Sequence, residues 1–392
     1  MAWATSLLSG RLRLPDVLGF LILGAATGPF GLGLVHVSLT NPLISVSVAL
    51  AASVLLYEGG RGIDLSMLRR CWLGLTLLVT CGVLITAALA ALAAERLFHW
   101  DWQTAALLGA IIASTDPAAV IPVMRQAGIA ERVGNVAQAE SALNDATGAI
   151  LTLIVLGAIE GRAVSPGHVA GSLVLMAGGG LLIGLLVAGV TAWVAHGRSP
   201  RLWALGAHNQ QVVELITVLL SYGLASYLGT SGFMAAFAAG VVHGQTVTRA
   251  AHRTEPFFST LSFLSRVAVF LILGAALDPA RAVRPIAATL AFIALFMLVI
   301  RPAAVFSSIL PDRNGVWTLP ETLMLCWVRE TGVIPAALAA YVASLAVANA
   351  DAIVAKTSAV IFATVVVQGL TTRGFARLLR LTKRSPAGVG EA

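Results

Sequence analysis

One apolar stretch near the middle of the chain carries three oxygen-bearing side chains at helical spacing. Asp145 lies within it, Ser141 is four residues earlier, and Asn144 is the immediate neighbour. Residues four apart share a helix face, so these groups are predicted to converge. Their oxygens can ligate a hard cation, and the carboxylate can take a proton when the cation leaves. The alternative interpretation is a protonated, hydrogen-bonded Asp145 with a structural role.

A second polar segment combines a charge with a helix breaker. Asp116 lies between Thr115 and Pro117. Proline leaves the carbonyl of Ala113 without its helical partner and biases Asp116 away from helical geometry. A charge beside a break inside a membrane is tolerated where it lines a cavity, and the freed carbonyls can then bind ions. The alternative is a simple proline kink with Asp116 hydrogen-bonded to a neighbour.

A third polar segment carries Arg329 and Glu330, and Gly332 and Pro335 predict another helix break there. We expect Arg329 to neutralise nearby carboxylates when no cation is bound. Adjacent residues point apart on a helix, so Arg329 and Glu330 are predicted to pair with other helices rather than with each other. Both are assigned a charge-balancing role in a discontinuous helix.

Three further polar residues in apolar segments each admit two interpretations. Glu58, the only acid of its segment, is assigned to the cation site, and the alternative is a solvated interfacial residue. Glu214 is predicted to be interfacial. His243 has the side chain to sense pH near neutrality, but a hydrogen-bonded packing histidine is favoured.

The elements that position these residues are predicted to be membrane-spanning helices. The chain has 392 residues, of which 58% are hydrophobic and only 11% charged, whereas soluble domains carry about 25% charged residues. Apolar runs long enough to cross a bilayer recur, and they do not alternate as barrel strands do. The three cysteines match no metal-ligand or disulfide spacing. A pI near 10.0 invites a nucleic-acid interpretation, which fails because the basic residues are spread over short loops.

The predicted fold class is an all-α integral membrane protein of about 12 transmembrane helices. The predicted spans are 14–35, 41–58, 71–94, 103–124, 134–158, 168–195, 209–228, 231–245, 257–277, 285–310, 318–345 and 353–371. Alternate loops carry 17 basic residues on one side and 4 on the other. Because basic loops stay in the cytoplasm, both termini are predicted to be cytoplasmic.

A weak internal repeat suggests how the spans are arranged. Residues 18–21 of the first span resemble 231–234 of the eighth, and 54–59 of the second loosely resemble 270–274 of the ninth. An odd offset of seven spans makes the halves inverted, the plan of many secondary transporters, although chance similarity between Gly/Ala-rich helices is the alternative. The resulting domain prediction is a transmembrane domain over 1–381, with repeats at about 14–158 and 231–371, a linking helix at 168–195 or 209–228, and a basic cytoplasmic tail at 382–392.

These residues resemble the monovalent cation:proton antiporter type 1 family, the NhaP-like sodium/proton exchangers, over nearly the whole chain. The most specific match is Thr115-Asp116-Pro117 followed by the Asn144-Asp145 pair. The stretches 56–60, 301–302 and 367–370 also resemble the family in the right order.

The resemblance implies a 13-helix fold with a six-helix core, a homodimer, and Asp145 as the carrier of cation and proton. It places Asp116, Thr115, Ser141 and Glu58 around the cation. Asn144, where relatives of another branch have a second Asp, is similar to the electroneutral branch, which exchanges one proton per cation.

Two features depart from the family pattern. Residues 1–9 look like the end of a missing first helix, which agrees with a cytoplasmic start. The arginine that many relatives carry before Gly332 would fall on Thr331, and in this chain the arginine is Arg329. The role of Arg329 is therefore a weaker expectation than that of Asp145.

The sequence accordingly predicts a secondary transporter that exchanges Na⁺, K⁺ or Li⁺ for H⁺ by alternating access, with Na⁺ favoured. Cation and proton would compete for Asp145. The expected location is a bacterial inner membrane, with lipid around the protein. Neither enzymatic activity, a cofactor nor a nucleic-acid partner is predicted. A cation channel, and a membrane enzyme or sensor subunit, are the alternatives.

Overall fold

The computed structural model describes residues 16–37, 41–63, 65–115, 124, 131–161, 166–196, 206–246, 248–312, 315, 317–345 and 347–381. Within these ranges the regular elements are all helices. In chain order they are α1 (Asp16–Thr27), α2 (Pro42–Arg61), α3 (Leu65–Leu77), α4 (Val83–Phe98), α5 (Trp102–Ile112), α6 (Glu131–Ile159), α7 (Pro166–His196), α8 (Gly206–Tyr227), α9 (Gly232–Thr246), α10 (Thr248–Ala276), α11 (Pro279–Val283), α12 (Ile286–Leu295), α13 (Arg301–Ile309), α14 (Leu319–Trp327), α15 (Val333–Ser344) and α16 (Ala350–Leu378).

The all-helical fold class is confirmed. Each of the predicted spans contains a described helix, and six helices are long and apolar enough to cross a bilayer on their own. The other helices are shorter, less apolar, or interrupted. The number of crossings and the inverted repeat stay predictions.

Two long helices are interrupted by one π-helical turn each. Leu78–Gly82 joins α3 to α4, and Phe296–Ile300 joins α12 to α13. These turns lie in the third and tenth predicted spans, which the offset of seven would pair. A π turn shifts the side chains that follow it around the helix axis and is frequent at functional sites. The second turn sets the directions of Phe296 and Arg301.

The two predicted helix breaks are present in the described residues. Helix α5 ends at Ile112, and Asp116 and Pro117 lie outside the described ranges. Helix α14 ends at Trp327, and a non-helical segment leads to α15. The sequence placed this second break at Gly332 and Pro335, several residues too late. Pro335 lies in the first turn of α15, where its missing N–H costs nothing because first-turn N–H groups have no intrahelical acceptor.

The loops group at two ends of the molecule. At one end, Lys356 donates hydrogen bonds to the carbonyls of Ala282 and Arg284 and to Thr289 Oγ1. At the other end, the Asp312 carboxylate accepts from the N–H groups of Gly74 and Gly315. These contacts join loops that the sequence assigns to the same side of the membrane.

Candidate functional site

The broken end of α5 is held by side chains of α6. Ser141 Oγ donates to the carbonyl of Thr115 at 2.6 Å. Asn144 Oδ1 accepts from the Thr115 N–H at 3.1 Å, and Asn144 Nδ2 donates to Thr115 Oγ1 at 2.7 Å. Because α5 has ended, the Thr115 peptide lacks helical partners, and α6 supplies them. Three predicted site residues therefore meet at one peptide.

Asp145 lies on the same face of α6, one turn beyond Ser141, and is 7% exposed. Its carboxylate is thus close to the broken peptide and largely sheltered from solvent. Asp116 lies outside the described residues, so its place in this site stays a prediction. Ser114 Oγ and Thr331 Oγ1 are buried at the two breaks without a hydrogen-bond partner among the described residues. Their oxygens are further candidate ligands that the sequence did not single out.

Arg329 links the two breaks. It lies in the non-helical segment between α14 and α15 and is 2% exposed. Its Nη2 donates to the carbonyls of Ile112 and Ala113, at 3.0 and 2.8 Å. Those carbonyls carry the partial negative charge at the end of α5, so the guanidinium caps the helix end. The sequence expected carboxylates as the partners, whereas the described hydrogen bonds go to carbonyls.

Two contacts fix the segment that carries Arg329. The guanidinium carbon lies 4.3 Å from the ring centre of Phe296, a cation–π contact set up by the second π turn. The Thr331 N–H donates to Thr364 Oγ1 on α16 at 3.1 Å. Glu330, between them, is 1% exposed. Arg329 and Glu330 are therefore both buried at the break.

Glu58 lies in the last turn of α2 and is half buried. The next residues end the helix, and the Gly62 N–H donates to the Glu58 carbonyl. Gly62 also lies beside the Gln138 side chain of α6. The end of α2 thus adjoins the helix of Asp145, and a role of Glu58 in the cation site remains a prediction.

Sequence reasoning missed a buried ion pair beside the site. Arg301 Nη1 and Nη2 donate to the two carboxylate oxygens of Glu140 at 2.6 and 2.9 Å. Arg301 Nη2 also donates to the carbonyl of Leu325 on α14. Glu140 precedes Ser141, and an acid within an apolar span should have drawn attention to it. The pair ties α6 to α13 and to the broken span.

A second missed cluster lies at the end of α2. Tyr57 Oη is 3.0 Å from Glu214 Oε2 and 2.6 Å from His243 Nδ1. Arg61 Nη1 is 3.3 Å from the same Glu214 oxygen. The prediction of an interfacial Glu214 is wrong, since the residue is 6% exposed. His243 is hydrogen-bonded, as the sequence favoured.

Fold and site together define a helical membrane protein whose polar centre is built at two helix breaks. The comparisons with known proteins give its family. The model of the sodium/hydrogen exchanger, transmembrane, matches residues 1–378, and the chain belongs to this family.

Several relatives and one solved fold are similar over most of the chain. The K(+)/H(+) antiporter NhaP2 of Shewanella sp. (strain MR-4) is 28% identical over 377 residues, 95% of this chain. The chain spans only 64% of that relative's length. The K(+)/H(+) antiporter NhaP of Alkalimonas amylolytica is 25% identical over 98% of this chain and 66% of its own. The sodium proton antiporter MjNhaP1 of Methanocaldococcus jannaschii shares the fold, with a TM-score of 0.82, 24% identity, and 97% of this chain and 96% of that one covered.

Proposed function

We propose that this protein exchanges a monovalent cation for protons across a membrane by alternating access, with both ions competing for Asp145. The observation that carries the proposal is the meeting of α6 with the end of α5. Ser141 and Asn144 bind the broken peptide at Thr115, Asp145 extends the same face, and Arg329 caps the same break. An oxygen-lined, sheltered carboxylate of this kind can hold either a cation or a proton.

The exchange is proposed to be electroneutral, one proton per cation. Where a second acid would add a second exchangeable proton, this chain has Asn144, whose amide is committed to Thr115. Na⁺ is the first candidate, and K⁺ is the second because the NhaP2 and NhaP relatives are named K(+)/H(+) antiporters. We further propose a homodimer in a bacterial inner membrane with both termini cytoplasmic.

Proton flux in proteoliposomes tests the proposal. Vesicles with an acidic lumen receive Na⁺, K⁺ or Li⁺ outside, and lumenal pH is followed at zero and at clamped potential. Alkalinisation by one cation, independent of potential, is expected. Dependence on potential would contradict the one-for-one stoichiometry. Cation current without proton movement would instead establish a channel.

Asp145→Asn isolates the proposed carrier. The amide keeps the size of the side chain but cannot exchange a proton, so flux should fall to the level of protein-free vesicles while the protein stays folded. Asp351→Asn, at a carboxylate paired with Arg281 on the surface, is the matched control and should retain exchange. Full exchange by Asp145→Asn would remove the proposal.

A further inference from the structure

A buried proton-sharing cluster lies away from the helix breaks, in helices that the proposed exchange does not yet use. Tyr57 of α2 is fully buried between Glu214 of α8 and His243 of α9. His243 Nε2 lies 3.4 Å from Thr191 Oγ1 on α7. Four helices therefore contribute to one network.

The geometry fixes how protons are shared. Tyr57 has one hydroxyl proton but lies within hydrogen-bond distance of both Glu214 Oε2 and His243 Nδ1. Arg61 stabilises Glu214 as a carboxylate, so Tyr57 donates to Glu214. His243 Nδ1 must then carry a hydrogen and donate to Tyr57, a tautomer assigned here from the network. Nε2, facing Thr191, is left as the ring position that can gain a second proton.

The cluster is mechanically joined to Glu58. Tyr57 precedes Glu58 directly, and the Tyr57 carbonyl lies against Gly240 of α9, where a Cβ would overlap it. The Tyr57 ring also packs on Phe258 of α10, with centroids 5.1 Å apart. With the backbones in contact, a change at His243 cannot be absorbed by loose packing.

We propose that His243 and Tyr57 are positioning residues for the turn that carries Glu58, and that protonation of His243 weakens cation binding there. This rests on the proposed exchange. A protonated His243 adds a second cation beside Arg61, which opposes the approach of a transported cation. The charged or titratable groups that face His243 are Tyr57, Glu214 and Arg61; α7 presents Thr191, and the side chains of 248–255 on α10 lie outside the described ones.

The first arm of the test measures KM and kcat for the cation in proteoliposomes between about pH 5 and 8, where histidine changes charge. His243→Gln and Tyr57→Phe should each move the rise of KM to lower pH by roughly half a unit or more, with kcat nearly unchanged. The double variant should move it no further than either single one, because the two residues act as a unit.

Matched controls are exposed residues of the same types. His36→Gln and Tyr227→Phe, both at exposed positions, should keep the wild-type profile. A purely structural role would lower yield or melting temperature but leave the KM profile in place. Wild-type KM profiles for His243→Gln, or additive shifts in the double variant, would overturn the proposal.

A second arm needs no transport. The melting temperature of detergent-solubilised protein is measured over the same pH range. The difference between wild type and His243→Gln should change with pH, and Tyr57→Phe should reduce that change. A wild type that exchanges no cation removes the proposed function and the link to Glu58 together. A pH-independent difference removes the proton-sharing cluster itself.

Discussion

Buried charges in this protein are stabilised by specific partners, and Glu140 with Arg301 is the clearest case. The side chains are 2% and 4% exposed, and the guanidinium binds the carboxylate through two nitrogens. Removing ions from water is costly, so the pair stabilises the fold only while both members are present. Its position beside Ser141 means that the orientation of α6 at the site depends on it.

Removing one member of this pair should therefore destabilise the protein more than removing both. We expect Glu140→Leu to lower the free energy of unfolding by about 3–5 kcal/mol, because Arg301 is left as an unpaired buried cation. The double variant Glu140→Leu, Arg301→Met should recover much of that loss. Denaturant unfolding in detergent measures both. A double variant less stable than Glu140→Leu would contradict this account.

At the scale of elements, helices approach closely where glycine removes the side chain. Helices α1 and α10 cross with Gly24 and Gly274 against each other. A Cβ on Gly274 would overlap the carbonyl oxygen of Leu21, and a Cβ on Gly24 that of Leu271. Small residues at such crossings allow close packing of helices within a bilayer. The position of α1 thus depends on two atoms' width of space.

Gly274→Val should separate α1 from α10 and reduce the yield of folded protein severely. The matched control is Gly178→Val on α7, where a Cβ would meet no atom within 4 Å. Size-exclusion profiles and melting temperatures of both variants test this. We expect Gly178→Val to resemble the wild type, and equal losses in the two variants would show that loss of glycine flexibility, rather than helix contact, matters.

Elements were predictable where the signal is local. The apolar runs predicted helices, and the four-residue spacing of Ser141 and Asp145 correctly placed them on one face of α6. The Glu140–Arg301 pair was not predictable, because 161 residues separate its members and a π turn sets the direction of Arg301. The second break was displaced because Pro335 can begin a helix as well as end one. Burial of Glu214 likewise depends on Arg61 and Tyr57, which are distant in sequence.

Over the whole molecule, charge and contacts divide the loops into the same two groups. One group, with 4 basic residues in the sequence, includes the loop at 278–284 that Lys356 binds. The other carries 17 basic residues and includes the Asp312 loop bound to Gly74. Since basic loops are retained in the cytoplasm, the second group is expected there.

Labelling of single cysteines in intact cells tests this orientation. Cys71, Cys81 and Cys326 are first replaced by Ala, and one cysteine is introduced at a time at an exposed position. A membrane-impermeant maleimide should label His36→Cys and Asp351→Cys from outside, and should label Arg377→Cys only after the membrane is permeabilised. The reverse pattern would invert the molecule and would place the cluster of Tyr57, Glu214 and His243 near the outer rather than the inner surface. The pH that His243 then experiences would be that of the exterior, which makes orientation the fact that decides which compartment controls cation binding.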